Sequence, residues 1–146
     1  MKIVEIASEN GRVADLERLT FAERVHRQLR PHLPADYAGK MARVLAGGAR
    51  MALALEGDAV LGLAVYRWHE NTFDGLKFYV DDLVTDETRR SQGVGRALIA
   101  HLENIARGLG AGGLALDSGT QRTQAHKFYF REGFVITSFT FKKTFP

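Results

Sequence analysis

Asp81 and Asp82 stand side by side a short way ahead of the run Arg89-Arg90-Ser91-Gln92-Gly93-Val94-Gly95-Arg96. Two glycines two residues apart at the start of a helix let the backbone curl and turn several N–H groups to one side. Such unpartnered amides, with the positive end of the helix dipole, suit a phosphate, and Arg90 and Arg96 add charge. The same geometry also serves a purely structural turn. A nucleoside-triphosphate loop needs Gly-Lys-Ser/Thr, whereas Arg96-Ala97 follow Gly95. A dinucleotide loop needs a small residue where Leu98 stands. The run Gly108–Gly113 follows a helical pattern, so it reads as a helix stop and turn.

The two carboxylates are neighbours on an expected strand, so they point to opposite faces unless a bulge intervenes. One of them then meets a substrate, or ends in a structural ion pair. Tyr129 lies among Phe128, Phe130 and Phe134, which on residue types alone reads as aromatic packing. The five histidines show no ligand spacing, and no metal site is expected. The chain has no cysteine, which excludes a disulfide scaffold, a thiolate metal site and a cysteine nucleophile.

These groups must be held by elements the hydrophobic pattern supplies. Lys2 to Ala7 reads as a first strand. Val13 to Leu29 reads as a helix, with Asn10-Gly11 and Arg30-Pro31 as its stops, and Tyr37 to Ala46 as a second. Arg50–Leu55 and Ala59–Trp68 form two strands joined at Glu56-Gly57-Asp58. A loop at Glu70–Gly75 precedes a third strand, Phe78–Thr85. Gly95–Leu109 is helical, Leu114–Asp117 a short strand, Gln121–Glu132 a helix, and Phe134–Phe145 a terminal strand alternating aromatic and polar residues. The order β-α-α-β-β-β-α-β-α-β predicts an α/β (α+β) fold: a mixed, mostly antiparallel sheet with helices on both faces.

The length of 146 residues fits one domain over 1–146. A hydrophobic fraction of 45% sustains a core. The net charge of +3 is too small and dispersed to point to nucleic acid. The first residues lack the apolar stretch of a signal peptide, and no apolar run is long enough for a membrane span, so a cytoplasmic protein is expected.

Arg90-Ser91-Gln92-Gly93-Val94-Gly95 resembles the Gln/Arg-x-x-Gly-x-Gly/Ala signature of the GNAT superfamily of acyl-CoA-dependent N-acyltransferases. Asp81-Asp82-Leu83-Val84-Thr85 resembles the family's fourth strand. Ala125 to Phe134 resembles its closing Ala-x-x-x-Tyr-x-x-x-Gly-Phe motif, and the element order agrees with the family's fold. The resemblance implies that Leu83, Val84 and Thr85 offer backbone groups to the pantetheine arm of acetyl-CoA, the co-substrate. Arg90, Ser91, Gln92, Gly93, Val94, Gly95 and Arg96 would cradle the pyrophosphate. Ser118 would line the cleft. Tyr129 would act as general acid toward the thiolate, and Asp82 would attract the amine. The oxyanion donor would be the N–H of Leu83 or Val84.

The implied reaction is direct transfer of acetyl to a primary amine of a small molecule or peptide. The alternative is a catalytically silent CoA-binding sensor. Relatives often carry Asn where Arg122 stands, so that contact is not carried over. The acidic pair favours a cationic small molecule as acceptor. Phe139, Phe141 and Phe145 either pair across a homodimer or cover the core.

Overall fold

The computed structural model describes residues 1–6, 8–9, 12–13 and 15–146. The Asn10-Gly11 stop and the last residue of the expected first strand, Ala7, lie outside them. The chain falls into two compact units, Met1–Ala115 and Leu116–Pro146.

In the first unit, β1 (Lys2–Ile6) leads to a two-residue pair, β2 (Ser8–Glu9) and β3 (Arg12–Val13), then α1 (Leu16–Leu29) and α2 (Tyr37–Ala46). Three strands follow, β4 (Arg50–Glu56), β5 (Ala59–Asn71) and β6 (Gly75–Thr85). A 3-10 turn, Glu87–Arg89, leads to α3 (Val94–Leu109) and the short β7 (Leu114–Leu116), whose last residue opens the second unit. Asp15 and Asp36 cap α1 and α2, each accepting a backbone N–H in the first turn. The sheet order is β1-β4-β5-β6-β7, and the pairs β1–β4, β4–β5 and β5–β6 are antiparallel.

β4 and β5 are buried on both faces, so their sequences read as nearly continuous apolar runs. Met51, Leu53, Leu63 and Val65 join a core with Leu19, Val25, Met41 and Leu45 of α1 and α2. The alternate positions are smaller: Ala52, Ala54, Gly62 and Ala64, all on strands that touch α3. At Gly62 a Cβ would lie 2.8 Å from the Val84 carbonyl oxygen and 2.8 Å from a methyl of Val94. Only glycine admits that approach, which seats the start of α3 against the end of β6.

Two differences from the sequence expectation have physical causes. The hairpin of β5 and β6 extends to Asn71 and Gly75, through residues expected to form a loop. Its outer part is polar because it runs past the apolar core. Asn71 closes it by accepting the N–H groups of Phe73 and Asp74 with its side-chain oxygen.

The chain end differs as well. Residues 134–146 form no strand, although their alternation suggested one. A strand is stabilised by cross-strand pairs and burial rather than by its own backbone. Here Val135, Ile136, Phe139, Phe141 and Phe145 are all exposed. The regular element of the second unit is α4 (Thr123–Arg131). No helix among the described residues is long and apolar enough to cross a membrane.

Candidate functional site

The end of β6 and the turn after it carry most of the residues singled out above. Ladder pairing shifts between Val65 and Tyr66, which face Asp82 and Val80, so Asp81 is an extra residue without a partner in the register. This bulge breaks the alternation, and the two carboxylates are not forced onto opposite faces. Asp81 accepts from Arg67 Nε at 2.7 Å.

Asp82 turns toward α1. Its Oδ2 lies 2.7 Å from His26 Nε2, and its Oδ1 accepts from Arg30 Nε at 2.8 Å and is 2.7 Å from Arg30 Nη2. His26 is 1% exposed, and its Nδ1 lies 2.8 Å from the Tyr37 hydroxyl. A carboxylate only accepts, so Nε2 carries a proton toward Asp82, while Nδ1 shares a hydrogen bond with the Tyr37 hydroxyl. Burial raises the Asp82 pKa, but the hydrogen bonds from His26 and Arg30 outweigh it and hold the group below the ordinary range. Burial, with the charges of Glu23 and Asp82, pushes the Tyr37 phenol far up, so it stays a donor.

Downstream, Leu83, Val84 and Thr85 pair with Ala64, Leu63 and Gly62 of β5. β7 has three residues against eleven in β6, so it covers only part of the second edge. Asp86 anchors the turn. It is buried and pairs with Arg24 of α1, accepts from Thr88 N at 3.1 Å, and donates its own N–H to the Leu61 carbonyl at 2.8 Å. Hydrogen bonding from Arg24 holds its carboxyl well below the usual range against the opposing effect of burial.

Beyond Arg90, Ser91 has φ +62° and Gly93 φ +82°. Two left-handed residues in close succession form a concave run of amides. Gly93 is also the N-cap of α3 and offers no side chain, so the first amides of that helix take no side-chain cap. Arg90, Ser91, Gln92 and Arg96 are exposed around this concavity, Gly95 is half-buried, and Val94 is buried and fixes the helix start.

In the second unit, Tyr129 lies on α4 with Phe128 and Phe134 at ring-centroid distances of 5.5 and 5.6 Å. The spacing Tyr-x-x-x-Gly-Phe has a physical origin here. Gly133 adopts φ +90°, its N–H reaches the Phe130 carbonyl, and Phe134 N–H reaches the Tyr129 carbonyl. That is a Schellman helix stop, with its apolar contact made by Phe134 on Tyr129. Burial raises the Tyr129 pKa, while the charge and hydrogen bond of Arg122 act to lower it. Ser118 Oγ is buried and has no hydrogen-bond partner among the described residues.

Sequence reasoning did not find His26, Arg30, Tyr37 or Asp86. His26 and Arg30 flank the helix end that was read only as a stop, and nothing local links them to Asp82.

Comparison with known proteins bears on the family and the fold. The profile of the Acetyltransferase (GNAT) family matches residues 12–134. An uncharacterized N-acetyltransferase, YhdJ of Bacillus subtilis, is 41% identical over 70 residues, which span 47% of this chain and 49% of that protein. The match thus covers about half the length of this relative. The aminoalkylphosphonate N-acetyltransferase of Salmonella typhimurium is 31% identical over 109 residues, 72% of this chain and 69% of that protein. Among solved structures, aminoglycoside N-acetyltransferase AAC(6')-Iy in complex with CoA superposes with a TM-score of 0.81 at 17% identity, over 98% of this chain and 93% of that one. The chain belongs to the GNAT acetyltransferase family.

Proposed function

We propose that this chain, acting as one domain over 1–146, transfers the acetyl group of acetyl-CoA directly to a primary amine. The observation that carries this reading is the concave run of amides at Ser91 and Gly93, opening onto the uncapped start of α3. It fits a pyrophosphate, which Arg90, Ser91, Gln92, Gly93, Val94, Gly95 and Arg96 hold by backbone amides and by charge. The half-buried end of β6 at Leu83, Val84 and Thr85 suits an extended arm with amide groups. Ser118 Oγ, buried and without a hydrogen-bond partner among the described residues, is a polar group left for a ligand.

Acetyl-CoA supplies an activated thioester whose carbonyl takes the amine nitrogen while its C–S bond breaks. A lysine-like amine of pKa about 10.4 must first lose a proton to water, at a cost of roughly 4–5 kcal/mol at pH 7. Asp82 Oδ2 retains acceptor capacity beyond its bond to His26, and we assign it the amine N–H. The N–H of Leu83 or Val84 stabilises the oxyanion. Tyr129 returns a proton to the thiolate. From phenol near 10 to thiol near 8.5 this transfer is uphill by roughly 2 kcal/mol. Burial of Tyr129 steepens it and Arg122 relieves it, which gives Arg122 a function where relatives often have Asn.

The test is calorimetric titration with CoA beside an amine panel in which released thiol is measured. CoA binding together with thiol release is expected. CoA binding without release from any amine means a silent sensor. Unaltered turnover in Tyr129→Phe removes the acid from Tyr129. The matched relatives act on an aminoalkylphosphonate and an aminoglycoside by name, so an amine acceptor is the common ground.

A further inference from the structure

A cavity of about 430 Å³ opens beside Asp82, between the end of α1, the segment joining it to α2, and α2 itself. Leu29, Leu33, Met41 and Val44 make much of its wall apolar. Its ionisable lining is Asp82, Arg30, Lys40, His26 and His32, with Asp82 the one carboxylate among the described residues there.

The carboxylate expected to draw a cationic acceptor is already engaged on both oxygens, by His26 and Arg30. Asp81 is likewise paired with Arg67. Once these internal pairs are set aside, Lys40 and His32 are the ionisable side chains of the cavity with no partner among the described residues. Lys40 is half-buried on the first turns of α2, where partial desolvation strengthens its attraction for an anion. A dication would meet Lys40 with no free carboxylate to offset it, a like-charge juxtaposition that costs affinity.

We propose that this cavity binds the acceptor and that the acceptor is a small amine bearing an oxyanion, a carboxylate or phosphonate, held by Lys40 while its amine meets Asp82. The proposal rests on the acetyltransferase reading above and names its substrate class. Asp82 accepts one N–H locally without lending net negative charge to the cavity. Lys40 therefore sets the preference between acceptors, and the apolar wall lets the carbon chain between amine and oxyanion pack. It departs from the expectation of a cationic acceptor drawn from the adjacent aspartates.

The experiment measures kcat/KM by thiol release for β-alanine, 2-aminoethylphosphonate, propylamine and putrescine, with wild type, Lys40→Met and Lys40→Arg. In parallel, the same four amines are titrated calorimetrically into CoA-loaded protein. The oxyanion-bearing amines should exceed propylamine by about tenfold or more, the scale of one well-placed charge contact. Lys40→Met should collapse that ratio, and Lys40→Arg should restore it. The carboxylate and phosphonate arms show which oxyanion fits better. Equal use of propylamine, or preference for putrescine, overturns the proposal while leaving the acetyltransferase reading intact. If no amine is acetylated but the oxyanion amines still bind in a Lys40-dependent way, the transfer reading falls and the cavity assignment stands. If they neither react nor bind, the cavity assignment falls as well.

Discussion

Two regions joined by the end of β6 do their work with different materials. The turn from Ser91 to Gly93 presents backbone amides, set by positive φ angles, with its side chains exposed. The Asp82 cluster presents a carboxylate fixed by side chains from α1, behind which lies the buried His26–Tyr37 pair. A backbone site tolerates a new side chain wherever the φ angle survives, and fails when it does not. A side-chain cluster has the opposite sensitivity: its backbone is ordinary strand and helix, and one lost partner leaves others buried and unpaired.

The largest expected effect falls on the side-chain region. Asp82→Asn keeps the shape but replaces an accepting oxygen by a donor toward His26 or Arg30. Amine acetylation should fall roughly 10²-fold, within the usual range for loss of a catalytic proton acceptor, with CoA affinity unchanged. Parallel loss of CoA affinity would merge the two regions and erase the contrast. His26→Ala comes next, read as stability. It leaves the Tyr37 hydroxyl and one Asp82 oxygen without their partner, so denaturant unfolding should show a loss of about 1–3 kcal/mol. His26→Gln should recover part of it.

The backbone region is tested by a pair of variants. Gly93→Val forces a β-branched residue to φ +82°, costing roughly 1–2 kcal/mol, and CoA affinity should drop by about tenfold. Ser91→Gly removes a side chain and keeps the angle, and CoA affinity should stay within about twofold because the amide is the ligand. If Ser91→Gly weakens CoA as much as Gly93→Val, the serine hydroxyl is the contact and the turn is not a backbone site.

The same contrast explains what could be read from residue order. Gly93 announces its conformation locally, since its positive φ and the helix start it caps lie within a few residues. Tyr129, Gly133 and Phe134 are legible for a related reason, because a Schellman stop fixes their spacing within one helical turn. The Asp82 cluster joins residues separated by 52 and 56 positions. Its members look ordinary in their own neighbourhoods: a histidine and an arginine at a helix end. The bulge at Asp81 was equally hidden, because a one-residue register shift leaves no local trace in the apolar pattern. Residues 134–146 show the converse failure. Alternation there signalled a strand, but pairing and burial rather than alternation make one.

The smallest effect belongs to Asp86, which links the two regions by tying the turn to Arg24 and Gln28 of α1. Its folded pKa is depressed, chiefly by the hydrogen bond from Arg24. A depressed carboxyl stabilises the fold above its unfolded pKa, and that contribution is lost as pH falls through the folded value. The acid limb of stability should therefore begin near pH 4, the unfolded aspartate value, and steepen below it. Asp82 is depressed as well, so both carboxylates contribute to that limb. Asp86→Asn should cost about 1 kcal/mol at pH 7, and the gap from wild type should narrow as pH falls below about 4. Urea midpoints at pH 7, 4 and 3 measure it. A gap that stays constant with pH would mean that Asp86 acts through shape alone. If CoA affinity in Asp86→Asn stays at the wild-type level, the amide turn keeps its geometry without its tie to α1, and the two regions are independent.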